Sequence, residues 1–186
     1  MAMTEGDAAP AASFLALLDL HRGLKELFLR HQEALLASDL EQARRLLLEF
    51  EATLYHHIQV EEEILLPVYA ERAGRVPGGP PELFLGEHRN LKTFVAEFKE
   101  RLGEMRPGAP GLRRQTITLF DREAVFKQVV EHHDLREQNL LYPHLDRVTT
   151  PEERAALLAR CTAEPAPSAS PEVRWGEQRS GGSSSG

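Results

Sequence analysis

The chain has 186 residues, a net charge of -7 and a single cysteine, Cys161. That length fits one domain with enough core to fold unaided. The 29 acidic residues against 22 Lys and Arg, spread along the chain, exclude a phosphate-binding face as its main function, so no nucleic-acid partner is expected. One cysteine excludes an internal disulfide and a thiolate zinc site, and fits a reducing cytoplasm. The longest apolar runs, Phe14 to Leu18 and Ile64 to Val68, are too short to cross a bilayer, and no basic stretch precedes an apolar one at the N-terminus. Neither a membrane span nor export is expected.

Residues 1–12 are small and polar and are expected to be disordered. Four segments then carry apolar residues at alternating spacings of three and four, the pattern of helices with one buried seam. The first follows Ser13, a predicted N-cap, with the seam Phe14, Leu17, His21, Leu24, Phe28, His31 and Leu35. After a turn at Ser38-Asp39 the second carries Leu47, Phe50, Leu54, His57, Glu61, Ile64 and Val68, and is expected to stop near Gly74. The third has Phe84, His88, Leu91, Val95, Phe98 and Leu102, and the fourth has Leu119, Phe126, Val130, His133, Glu137, Leu140 and His144. Pro67 and Pro143 are expected to bend or end their helices. Thr150-Pro-Glu-Glu153 reads as a capping box opening a short helix across the bundle within residues 150–163, and residues 164–186 read as a disordered tail. Short loops between amphipathic helices predict an all-α, up-down-up-down four-helix bundle over residues 13–147.

An internal repeat carries the chemistry. His57-Ile-Gln-Val-Glu61 through Pro67 aligns without a gap on His133-Asp-Leu-Arg-Glu137 through Pro143, at an offset of 76 (133 − 57). Helices one and three align more weakly at an offset of 67 (88 − 21), pairing His21 with His88 and Leu24 with Leu91. His and Glu four residues apart share one helix face, and here both stand where the seam calls for leucine. Ionised carboxylates buried without partners cost several kcal/mol each, so two glutamates among four imidazoles invite cations. A lone His on an apolar face is more often a satisfied core residue; two gapless copies, each joined by a seam histidine on a second helix, are not explained that way. His56 and His132 point about 100° away around the helix. His31 lies about 15 Å along the helix from His21, too far to share a centre, and reads as a core histidine. His144 matches Val68 in the other copy and reads as a non-ligand; Glu62 and Glu63 read as a solvated face.

The repeated phrases His56-His57-Ile-Gln-Val-Glu61 and His132-His133-Asp-Leu-Arg-Glu137 resemble the HHE cation-binding branch of the hemerythrin family, over about residues 13–147. The resemblance implies that His21 and His57 serve one iron and His88 and His133 a second, with Glu61, Glu137 and an oxo or hydroxo group bridging them. Zinc or manganese are alternatives. Oxygen-carrying hemerythrins have a further histidine one turn before the third-helix ligand, where this chain has Phe84, and a carboxylate one residue further along the fourth helix. The implied function is a non-haem two-metal protein that binds or senses oxygen, peroxide, nitric oxide or iron. Two other functions stay open: a di-iron oxidase or peroxidase, with Tyr55, Tyr69 and Tyr142 as the nearest redox-capable side chains, and a bundle that metal merely stabilises.

Overall fold

The computed structural model describes residues 12–162, which form five helices and no strand. Helix α1 opens as a 3-10 turn, Phe14–Leu17, and continues as Leu18–Leu36; α3 is Pro81–Glu104 and α5 is Pro151–Cys161. Helix α2 runs Leu40–Val60, widens into a π turn at Glu61–Leu65 and resumes as Leu66–Arg72. Helix α4 repeats this with Leu112–Arg136, a π turn at Glu137–Leu141, and Tyr142–Val148. Helices α1 to α4 form the up-down-up-down bundle. Of the ends expected to be disordered, residues 1–12 and 164–186, all but residue 12 lie outside the described residues, as does residue 163 of the expected short helix.

Local chemistry sets the boundaries. Ser13 caps α1, its side chain accepting from the Leu15 amide. Helix α1 ends with Ser38 in the left-handed region (φ 60) while the Asp39 amide donates to the Ala34 carbonyl at 2.9 Å, satisfying an otherwise unpaired helix-end acceptor. The Asp39 carboxylate then accepts from the Gln42 amide at 2.9 Å and starts α2. Thr150 and Glu153 form the expected capping box, and α5 packs on the π turn of α2, burying Cys161.

The π turns correct the expected seams. A π turn holds one more residue than an α turn, so the face rotates by about 100° beyond it. Leu65, Leu66 and Tyr69 are therefore buried where Ile64 and Val68 were expected, and those two are only half-buried. On α4, Leu141, Tyr142 and Leu145 replace Leu140 and His144 in the same way. The prolines sit just past these turns. A proline cannot donate, and its ring crowds the carbonyl four residues back. The wide turn accommodates this, with the amides of Leu66 and Tyr142 bonding five residues back to the carbonyls of Glu61 and Glu137. Each helix then resumes, so neither proline ends its helix.

Two apolar clusters fill the interior. One holds Leu24, Phe28, Phe50, Leu54, Leu91, Phe98 and Phe126, with Phe28 and Phe126 ring centroids 5.2 Å apart. The other holds Phe14, Leu17, Leu65, Phe84, Leu141 and Tyr142 at the end covered by α5. The expected Glu and His seam positions form a polar layer between them. Within the first cluster His31 is a core histidine, as expected, and it has a partner that sequence reading missed. Its Nδ1 donates to the Ala43 carbonyl at 2.8 Å, and its Nε2 meets Glu123 Oε1 at 3.0 Å, both side chains fully buried.

Candidate metal centre

Six side chains from four helices converge on the polar layer: His21 from α1, His57 and Glu61 from α2, His88 from α3, and His133 and Glu137 from α4. All are at most 6% exposed. Their potential ligand atoms form two groups, each with its atoms within 4.8 Å of one another: Glu61, His88, His133 and Glu137, and His21, His57 and Glu137. In the first, His133 Nε2 stands 2.9 Å from Glu137 Oε1 and His88 Nε2 stands 3.3 Å from Glu61 Oε2. In the second, the Nε2 atoms of His21 and His57 are 3.0 Å apart, and His21 Nε2 is 3.3 Å from Glu137 Oε2. The two oxygens of Glu137 thus face different imidazole pairs, while Glu61 Oε2 lies 3.3 Å from His88 Nε2 and 3.7 Å from His57 Nε2.

The donor set fits cations. Glu61 Oε2, Glu137 Oε1, His88 Nε2 and His133 Nε2 are buried and make no aligned hydrogen bond, only close approaches to one another, and their residues form one group. Buried polar atoms normally make aligned hydrogen bonds, and donor atoms that instead converge on one another describe a place for ions. The model of the hemerythrin HHE cation-binding domain matches residues 15–145. The chain belongs to this family. Comparison with curated proteins and with solved structures gives no match. The HHE domain therefore supplies cation binding as a family property, and the buried His and Glu cluster supplies the groups for it.

Around the six residues of this HHE domain lie acidic partners that sequence reading missed. His88 Nδ1 stands 3.0 Å from Glu62 Oε1 and His133 Nδ1 stands 3.1 Å from Glu87 Oε2, each placed to take the Nδ1 proton so that Nε2 faces inward. Asp134 Oδ1 is 3.5 Å from His21 Nδ1 and pairs with Lys25 at 2.7 Å. Glu62 is thus not simply part of a solvated face. These acids sit one residue from a member of the six, a signal that sequence alone could have offered. His56, His132 and His144 lie outside both groups; His132 Nδ1 and His144 Nδ1 contact the carbonyls of Gln128 and Leu140.

Charges in the layer are strongly coupled. Burial pulls His88 down, but Glu137 and Glu61 more than offset it and bring it up to about 9. Burial opposes the charge on His133 too, yet Glu137, Glu87 and Glu61 raise it well above the usual imidazole value. Glu137 is held well below the carboxylate range because His133 and His88 outweigh its burial. His21 moves the other way, lowered chiefly by burial.

Tyr142 breaks the two-fold symmetry. It is fully buried, its hydroxyl donates to Glu61 Oε1 at 2.8 Å, and the same oxygen lies 3.3 Å from Glu137 Oε2 and 3.4 Å from His21 Nε2. Its repeat counterpart is Leu66 (142 − 76). Burial, then the two carboxylates, push the phenol well above its ordinary pKa. Tyr55 and Tyr69 instead donate to the carbonyls of Lys92 and Gly79.

Proposed function

We propose that this HHE domain is a non-haem di-iron protein that binds or senses dioxygen, nitric oxide or peroxide. The observation that carries it is the pair of adjoining His/Glu groups sharing Glu137. His21 and His57 would hold one ion, His88 and His133 the other, with Glu61 and Glu137 between them; two imidazoles per ion leave positions for a small exogenous ligand. When bound, iron supplies reversible electron transfer and an open site for such a ligand. The protein's own part is to hold the imidazoles of His88 and His133 by their Nδ1 protons on Glu62 and Glu87, and to enclose the layer between two apolar clusters. The protein acts in the cytoplasm, consistent with its lone buried Cys161; among the described residues no helix is long and apolar enough to cross a membrane. The test is the absorption spectrum of anaerobically reduced, iron-loaded protein on adding oxygen, nitric oxide or peroxide. At least one must change it; silence toward all three overturns the reading.

Tyr142 favours a second reading, a peroxidase- or oxidase-like catalyst. A buried phenol against both carboxylates is placed to hold or hand over a proton at the centre. Multiple turnovers of peroxide with an electron donor, abolished in Glu137→Ala and slowed in Tyr142→Phe, support catalysis. Stoichiometric oxidation without turnover contradicts it.

A further inference from the structure

A cavity of about 340 Å³ lies between α1 and α4, with α2 at its back. Its inner end is His21, His57 and His133; its walls include Leu24, Phe28, Leu54 and Phe126; its outer rim carries Lys25, Leu29, Gln32, Lys127, Glu131 and Asp134. Leu29, on that rim, is 48% exposed. The space greatly exceeds what a diatomic gas needs. An apolar cavity of about 150 Å³ stays dry and takes up benzene, so this one suits an apolar molecule of roughly a dozen carbons. The walls offer such a molecule dispersion contacts and little hydrogen bonding.

The rim says which end is polar. Lys25 is neutralised by Asp134 at 2.7 Å. Lys127, among the described residues, meets only a neutral partner, the Gln32 amide oxygen at 3.1 Å, and Gln32 in turn donates to the buried Glu123 at 2.8 Å. Glu131, one turn further along α4, is exposed. Gln32 lies about 16 Å from His21 by the rise of α1, so a molecule anchored beside Lys127 can reach toward the imidazoles.

We propose that this cavity binds a medium-chain fatty carboxylate, its head on Lys127 and its tail running inward to the face of His21, His57 and His133. The binding rests on the cavity and not on what a metal pair does, so the two readings fail separately.

The experiment is calorimetric titration of the full chain, metal-free and zinc-loaded, with straight-chain carboxylates of increasing length and the matching alkanols. Affinity is expected to rise roughly fourfold per methylene and to stop rising near a dozen carbons, when the cavity is full. Lys127→Gln, at an exposed position, weakens the carboxylates roughly fivefold and leaves the alkanols unchanged. Val130→Trp fills the half-buried wall and removes both, with circular dichroism confirming the fold. No saturable binding at any length overturns the proposal. So does affinity that climbs with length without limit and ignores Lys127→Gln, which marks adsorption to the surface. Failure here in a protein that still loads metal leaves the metal reading standing.

Discussion

Metal loading of this centre must expel protons. In the metal-free protein the Nδ1 atoms of His88 and His133 face Glu62 and Glu87, so the second proton of each charged ring lies on Nε2, the atom that faces the cluster. With His88 at about 9 that ring is charged at pH 7.5, and the raised value of His133 favours its charged form as well. Loading should therefore release roughly two protons per chain, and the overall loading constant should rise about a hundredfold per pH unit from pH 6.5 toward 8.5. The metal-free protein carries the matching stability signature. A histidine raised from 6.5 to about 9 contributes about 3 kcal/mol of stability, fully present below pH 6.5 and lost as pH rises through 9. Glu137, depressed, acts oppositely: its contribution is present above pH 4.5 and lost as pH falls below it. Stability of the metal-free chain should thus fall on the alkaline side, while that of the loaded chain should not. Calorimetric zinc titrations in buffers of different ionisation heat count the protons, and urea melts with and without metal give the stabilities. Release of well under one proton per chain, with pH-independent loading, would refute the coupling.

Three sets of substitutions test the surroundings. Glu87→Ala removes the partner of His133 Nδ1 and should weaken metal binding about 10- to 100-fold with helix content unchanged, as read by competition with a chromogenic chelator. His31→Leu leaves Glu123 with Gln32 alone and Glu123→Leu leaves His31 Nε2 without its acceptor, so each should cost about 3 kcal/mol in urea melts, whereas the double substitution should recover most of that loss. Ser38→Gly relieves a left-handed serine and should raise stability by about 1 kcal/mol.

Much of this was legible in the chain because the repeat imposes itself on the helical period. His57 with Glu61, and His133 with Glu137, occupy seam positions where leucine belongs, and the weaker pairing of His21 with His88 completes the layer. What escaped did so for identifiable reasons. Seam reading assumes a uniform 3.6-residue turn, so the π turns at Glu61–Leu65 and Glu137–Leu141 shifted every later position. Pro67 and Pro143 were the visible signs of that irregularity. The same rotation carries Tyr142 into the centre, where a regular helix would have put it beside the seam. Glu123 falls between Leu119 and Phe126 at seam spacing, so its burial could have been read, but its pairing with His31 is a contact 92 residues long. Glu62 and Glu87 stand beside Glu61 and His88 in the chain, but which imidazole each meets is decided by the neighbouring helix.

The most direct test of the centre is the metal content of chain reconstituted anaerobically with ferrous iron. Two irons per chain are expected, falling to about one in the His88→Ala, His133→Ala double variant, with helix content retained. No bound iron in the parent, or two irons still bound after His21, His57, His88 and His133 are all replaced by alanine, would contradict the assignment of these residues.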